Sequence, residues 1–565
     1  MSKQTYRLCF FLSRRFKMIE PEVPQEIKSI FEDYSENGIM SIDHLHKFLI
    51  QIQKEDHHQV SIDDIAKSII SLNMMNKPKQ YPSSIFPRKK NQNATTTFVG
   101  LDLDTFFRFL FNHTNSPLPI PSEVHQDMSA SLSHYFIYTG HNSYLTGNQF
   151  SSDCSDVPII DALKRGVRVI ELDLWPNSSK DNVQVLHGRT LTAPVGLIKC
   201  LRAIKKYAFV ASEYPVIITL EDHLSSTPYL QTKVAEMIKE TFEDILFIPT
   251  STNCLSEFPS PESLKGKIIV STKPPKEYIE EDVDLQKKKK PMLKNGASEY
   301  KRLITIHAKK RKGTIEECLS EDPDGAKRLS LNEQKLEKAV VVCRTDIVRY
   351  TQRNILRVFP KATRLDSSNY DPLIGWMHGA QMVAFNMQGN DRPLWLMRGM
   401  FRANGGCGYV KKPDILLQIG HDNEVFDPKQ KLLVTKSLKV KVYMGDGWYS
   451  DFKHTHFDKY SPPDFYVKIG IAGVEADTMI KTSRTIMNNW VPTWEEEFLF
   501  PLTIPDMALL QIEVHEYDIS GKDDFGGQTC LPVSELRTGI RTVPLHNEKG
   551  DEYKSVKLLV RFEFV

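Results

Sequence analysis

The chain lacks any run of about 18 uninterrupted apolar residues, the length a helix needs to cross a bilayer, so contact with lipid is expected to be peripheral. Its opening segment sets basic residues beside a short apolar run that ends in Arg14 and Arg15, a poor secretory signal. Cysteine is sparse. The 8 residues are scattered and none is spaced as Cys-x-x-Cys, which points to free thiols in a reducing compartment and away from a disulfide framework. No motif beside Cys9 compels lipidation. An excess of charge of one sign is also missing. The 73 basic and 71 acidic residues leave a formal charge of +2, which gives no global electrostatic case for nucleic acid. What remains is ordinary globular composition over 565 residues, too long for a single core, and three or four domains are expected.

The stretch from His134 to His223 organises the rest. Four apolar, strand-like runs each turn polar at the carboxyl end. Residues 133–140 run into His141 and Asn142, 166–170 into Glu171 and Asp173, 183–186 into His187 and Gly188, and 215–220 into Glu221, Asp222 and His223. Because strand side chains alternate faces, Val167, Val169, Glu171 and Asp173 share one side, and Ile217, Thr219 and Glu221 do the same on theirs. Helix-length spacers such as 192–210 mark parallel βα units. Polar residues at the carboxyl ends of such strands converge on one site in a (β/α) barrel or an open sheet. Two histidines, an asparagine and three acids suit charge-dependent chemistry. His141, His187 and one carboxylate would suit zinc, whereas the three acids with Asn142 suit a harder ion.

Residues 20–114 read as a helical, EF-hand-like region. Asp33, Ser35, Asn37, Gly38 and Ser41 reproduce the first nine positions of a calcium-binding loop. His44 stands where the bidentate glutamate is needed, so tight calcium binding there is not expected. A proline-rich connector leads into a core read as two halves, 125–276 and 299–413, interrupted by a charged, flexible linker at 277–298. The lysine run Lys287–Lys290 in that linker reads as solvated surface. From 432 to 565, short alternating strands separated by turns indicate a β-sandwich. Asp464 on one of its loops, and Glu516, Asp518 and Asp524 on another, offer hard oxygen ligands for calcium at one end. The expected fold class is multidomain, α/β plus all-β.

Several ordered motifs together carry a resemblance. They are Gly140-His141-Asn142-Ser143-Tyr144, Glu171-Leu172-Asp173, His187-Gly188 and Pro215 to His223, then Asp366 to Pro372 with Trp376, Met382 to Asn386, and Asn404 to Tyr409. The set resembles eukaryotic phosphoinositide-specific phospholipase C. With an EF-hand-like amino end, a TIM-like (β/α) barrel split into X and Y halves, a C2 carboxyl end and no PH-like segment, it is similar to the plant branch. The resemblance implies that His141 supports the phosphoryl oxygens and that His187 is the general acid protonating the diacylglycerol oxygen. It implies that Asn142, Glu171, Asp173 and Glu221 bind a catalytic Ca2+, with Glu171 also taking the proton of the inositol 2-hydroxyl.

For the head group the resemblance implies Lys273, Ser330, Arg357 and Phe359. Ser271 stands where a first lysine is expected and Phe359 where a tyrosine is, with Lys276 as a partial replacement for the lysine. The implied reaction is calcium-dependent cleavage of phosphatidylinositol 4,5-bisphosphate to diacylglycerol and inositol 1,4,5-trisphosphate through a cyclic phosphate. The competing reading is a catalytically weak, calcium-dependent phosphoinositide-binding or scaffolding protein. The implied partner is an anionic phosphoinositide membrane and not nucleic acid. The implied setting is a cytoplasmic monomer, peripheral on the cytosolic face of the plasma membrane.

Overall fold

A computed structural model describes residues 3–9, 12–17, 22–55, 100–119, 123–275, 293–309, 313–320, 325–420, 422–452, 456–457, 460–518 and 521–565. Lys276 and the Lys287–Lys290 run lie outside them. The chain divides into two compact units, Pro121–Lys431 and a second made of Met1–Ile120 with Leu432–Val565.

The first unit is a barrel. Its strands are β1 (Thr139–Gly140), β2 (Val169–Pro176), β3 (Val216–Asp222), β4 (Ile268–Thr272), β5 (Ile304–His307), β6 (Arg328–Asn332), β7 (Ile355–Phe359) and β8 (Met382–Phe385). Each pairs in parallel with the next, β8 pairs with β1, and one bridge from Ala308 to Arg328 joins β5 to β6, so the ring closes. Helices fill the crossovers, among them Leu197–Tyr207 between β2 and β3, Pro228–Phe242 between β3 and β4, and Glu333–Arg353 between β6 and β7. The last starts where the Asn332 side chain accepts from the Lys335 amide, an N-cap that ends β6 and begins the helix in one residue. Val169, Ile217, Ile269, Ile306, Ile355 and Met382 pack as a fully buried layer inside the ring. Two residues further along, the same faces carry Glu171, Thr219, Ser271 and Arg357. The barrel is therefore an apolar plug with a polar layer above it, at the carboxyl ends of the strands.

Three readings need correction. The run at 183–186 is not a barrel strand: Val183–Val185 pairs antiparallel with β2, Leu174 opposite Val185. The connection Asn177 to Asn182 holds a turn but is far too short for the crossover of a dozen or more residues that a parallel strand requires. The run at 133–140 is likewise broken. Leu132–His134 is a helical turn, Tyr135–Ile137 pairs antiparallel with Tyr409–Lys411, and only Thr139–Gly140 enters the barrel. Finally, the end of the segment read as flexible linker is ordered, because the helix Leu293–Arg302 covers 293–298.

In the second unit eight antiparallel strands run in the order Met479–Thr482, Phe465–Ala472, Leu509–Glu516, Asp524–Pro532, Gly539–His546, Glu552–Phe564, Lys436–Asp446 and Thr493–Leu502. The middle junction is a single pair, Gln528 with His546, so the order splits into two four-stranded sheets and forms a sandwich. Helices Gln25–Asp33, Ile42–Gln51 and Leu103–Leu110 share one apolar core with those strands. The Gln53 side chain, fully buried, donates to the Ile540 carbonyl at 2.7 Å and accepts from its amide at 2.5 Å, capping a sandwich strand edge. In the EF-hand-like loop Ser41 caps the following helix, and His44 Nε2 lies 3.6 Å from Glu36.

Candidate active site

The geometry of the site starts from strand register. β2 and β3 are aligned so that Asp173 sits beside Glu221 and Glu171 beside Thr219. His141 and Asn142 follow β1, and the His141 amide donates to the Phe385 carbonyl at 2.7 Å, which pins them between β2 and β8. Asn142 has a positive φ of 44°, a region that asparagine tolerates better than most residues. That turn aims its amide nitrogen at Glu171 Oε2, 3.3 Å away. His187 arrives from the hairpin, where the Leu186 amide donates to the Asp173 carbonyl at 3.3 Å.

Both imidazoles are oriented through Nδ1. His187 Nδ1 donates to the Gln149 carbonyl at 2.7 Å. His141 Nδ1 lies 2.9 Å from Asn386 Oδ1, and that oxygen also accepts from Gln149 Nε2 at 3.1 Å. An oxygen that accepts twice leaves His141 Nδ1 as the proton-bearing nitrogen and frees Nε2. Gln149 Oε1 in turn accepts from Asn142 Nδ2 at 3.0 Å, leaving Asn142 Oδ1 available as a ligand. One buried glutamine thus orients three of the residues read from the sequence. Burial pushes the His141 imidazole below its ordinary value, while the Glu171 carboxylate opposes that shift.

The carboxylates are crowded. Glu171 is buried and its Oε2 lies 2.5 Å from Arg357 Nη2. Asp173 is 4% exposed and its Oδ1 has no hydrogen-bond partner. Burial, with Glu221 and then Glu171 beside it, drives its carboxyl well above the usual range. Glu221 shifts the other way, held down chiefly by the imidazole of His223, whose Nε2 is 3.3 Å from Oε1. His223 stacks on Trp175 with ring centroids 4.1 Å apart. Ligand atoms of Asp173, Glu221 and His223 all lie within 4.8 Å of one another, the tightest such group among the described residues. An orphaned buried carboxylate oxygen beside two further acids is an arrangement that a hard, oxygen-seeking cation relieves.

The residues read as head-group contacts lie around the same mouth. Arg357 and Ser330 are register partners on β7 and β6. Phe359 lies nearly parallel to His141, with centroids 6.3 Å apart, and the Arg357 guanidinium sits 5.1 Å from its ring centre. Lys273 is exposed just beyond β4. Ser271 is fully buried and its hydroxyl donates to the Ile306 carbonyl at 3.2 Å.

On the sandwich, Phe465 and Asp524 are both register partners of Glu516, which brings Asp464, Glu516 and Asp524 to one end. Asp464 Oδ1 accepts from the Asn488 amide at 2.5 Å, and the Asp518 amide donates to Asp523 Oδ1 at 3.2 Å. These acids do not form a group as tight as that in the barrel, among the described residues. Gln149, Asn386, His223 and Asp523 were not singled out from the sequence. Two of them carried a local signal: His223 adjoins the acidic run Glu221-Asp222, and Asn386 closes the motif that starts at Met382. No described helix is long and apolar enough to cross a membrane.

Residues 128–274 match the phosphatidylinositol-specific phospholipase C X domain, 303–415 its Y domain and 436–548 the C2 domain. Phosphoinositide phospholipase C 2 of Arabidopsis thaliana is 57% identical, with 100% of each chain covered. The human 1-phosphatidylinositol 4,5-bisphosphate phosphodiesterase delta-1 is 29% identical over 97% of this chain and 72% of that one. The crystal structure of PLC21 from L. pealei has a TM-score of 0.73 at 25% identity and covers 95% of this chain and 68% of that chain. With X, Y and C2 segments in that order on a split barrel and a sandwich, the chain is an enzyme of the phosphoinositide phospholipase C family.

Proposed function

We propose that the chain cleaves phosphatidylinositol 4,5-bisphosphate into diacylglycerol and inositol 1,4,5-trisphosphate, with calcium, through a cyclic phosphate. The observation that carries this reading is the placement of His187 beside the acidic strand end at Asp173, with Nδ1 spent on Gln149 and Nε2 open. Glu171 accepts the proton of the inositol 2-hydroxyl, and Arg357 beside it fixes the carboxylate for that transfer. The hydroxyl oxygen bonds to phosphorus, the bond from phosphorus to the diacylglycerol oxygen breaks, and His187 protonates that oxygen. Attack within one molecule removes most of the association penalty. His187, now neutral, takes a proton from the water that opens the cyclic phosphate. His141 donates from Nε2 to a phosphoryl oxygen; the bound phosphate anion favours the doubly protonated ring that this requires. Calcium held by Asn142, Glu171, Asp173 and Glu221 would lower the pKa of the attacking hydroxyl and offset phosphoryl charge.

The setting is a membrane surface, the cytosolic face of the plasma membrane. Phe150, Leu191 and Leu365 are 45%, 73% and 51% exposed on three loops. Those loops are tied together: the Leu191 amide donates to the Phe150 carbonyl at 2.8 Å and the Gln149 amide to the Leu365 carbonyl at 2.9 Å. This apolar rim adjoins Gln149 and offers contact with acyl chains. At the sandwich end, calcium would relieve repulsion between anionic lipid and Asp464, Glu516, Asp518 and Asp524. Replacing Asp518 and Asp524 by asparagine is expected to weaken calcium-driven binding to anionic vesicles by about tenfold or more, and to leave cleavage of a dispersed short-chain substrate much less affected. Equal losses in the two assays would contradict that division of work.

The reading itself is tested by incubating the full chain with vesicles containing the bisphosphate at buffered free calcium. Release of inositol 1,4,5-trisphosphate that rises with calcium is expected. Calcium-dependent binding without product would favour the scaffolding reading instead.

A further inference from the structure

Among the described residues, the barrel unit holds two buried arginines that pair with no carboxylate, and they differ in how their N–H groups are met. Arg168 is spent on backbone carbonyls, including those of Gly166, Val167, Ala208 and Tyr214 at 2.7 to 3.3 Å, so its role is to hold the chain together. Arg328 has no such cradle. It is 5% exposed, its Nη1 donates to the Thr219 hydroxyl at 3.1 Å across the barrel, and its Nε has no acceptor. Arg357, also 5% exposed, likewise has an Nε without an acceptor, although its Nη2 meets Glu171.

Both guanidinium groups therefore lie in the polar layer just above the apolar plug. Arg357 comes from β7, and Arg328 reaches Thr219, the register partner of Glu171 and of Ser271. Burial and then the neighbouring Arg357 push the Arg328 guanidinium down to about 9, while the Glu171 and Glu221 carboxylates oppose that shift. A buried cation without a paired anion costs stability, and unsatisfied N–H groups add to that cost. A planar guanidinium with free N–H groups matches a phosphate group in charge and geometry. Ser271 on the facing wall is uncharged, and its hydroxyl proton is donated to the Ile306 carbonyl.

We propose that Arg328 is a specificity-determining residue, receiving with Arg357 a monoester phosphate of the inositol ring. This rests on the head-group reading of the site given above. An anion placed there completes the hydrogen bonding of both side chains and removes the repulsion between them. A lipid whose inositol ring bears no monoester phosphate leaves Arg328 as it stands in the free enzyme.

The test compares kcat/KM of the full chain on phosphatidylinositol, its 4-phosphate and its 4,5-bisphosphate in matched vesicles. For Arg328→Met, the ratio of bisphosphate to phosphatidylinositol cleavage is expected to fall by about 10- to 100-fold, the range for a lost charged hydrogen bond. The inhibition constant of free inositol 1,4,5-trisphosphate against phosphatidylinositol cleavage should rise by a similar factor. Arg328→Lys, which keeps a cation on β6, should recover part of both. A purely structural role lowers cleavage of all three lipids together, and an unchanged ratio with an unchanged inhibition constant overturns the proposal. Failure of the wild type to cleave any of the three lipids would instead sink the reading of the site on which it rests.

Discussion

His187→Ala is expected to lower kcat on phosphatidylinositol 4,5-bisphosphate by about 10²- to 10⁴-fold, the usual contribution of a positioned general acid. The reason lies in how the ring is held. Its Nδ1 is committed to the Gln149 carbonyl and its backbone is tied to β2 through Leu186, so Nε2 alone is left for proton transfer. The alkoxide of diacylglycerol is a poor leaving group unless protonated as the bond to phosphorus breaks. A substrate with an acidic aryl leaving group needs no such help, and it should lose far less rate in the variant. Losing the same factor on both substrates would remove His187 from the role of acid.

Asp173→Asn is expected to raise the free calcium needed for half-maximal activity by at least about tenfold, and to act on stability in the opposite sense. Without calcium, Asp173 is a buried carboxylate facing Glu221 and Glu171, with one oxygen lacking any partner. Holding a carboxyl whose ionisation is so disfavoured costs the folded state stability at neutral pH, and the amide avoids that cost, so the variant should unfold in chelator at the same temperature as the wild type or higher. With calcium the order should reverse. A cation bound only to the folded state at 100 times its dissociation constant adds about 2.7 kcal/mol, and the variant forfeits part of that. Calcium sites elsewhere on the chain cancel in this comparison. Equal calcium-induced shifts in melting temperature for the two proteins would show that Asp173 binds no cation.

Local pattern points to most of the residues proposed for the chemistry. His141, Asn142, Glu171, Asp173 and Glu221 could be read because a strand buries alternate residues and then turns polar at its tip, a signal contained within a few residues. The strand that delivers His187 looked the same from its composition, yet it folds back on β2 because six turn-forming residues precede it. What orients these groups was not legible. Asn386 is 245 residues from His141, and Ser367, which accepts from Gln149 Nε2 at 2.8 Å, is 218 residues away from it. No local period records such a meeting, since closure of the barrel alone brings the two halves together. The same holds for Gln53 and Ile540, 487 residues apart, through which the amino-terminal helices and the sandwich share an edge. Arg328 was not singled out from the sequence, because nothing local records that a charged side chain at that position is buried without a paired carboxylate.

The central claim is that the inositol 2-hydroxyl, and not water, first attacks the phosphorus. Phosphorus NMR of the reaction with phosphatidylinositol and the full chain at saturating calcium tests it most directly. The account predicts a five-membered cyclic phosphodiester signal that rises before the phosphomonoester and then declines into it. A monoester formed from the start at the full rate of lipid loss, with no cyclic species at any time, would contradict it.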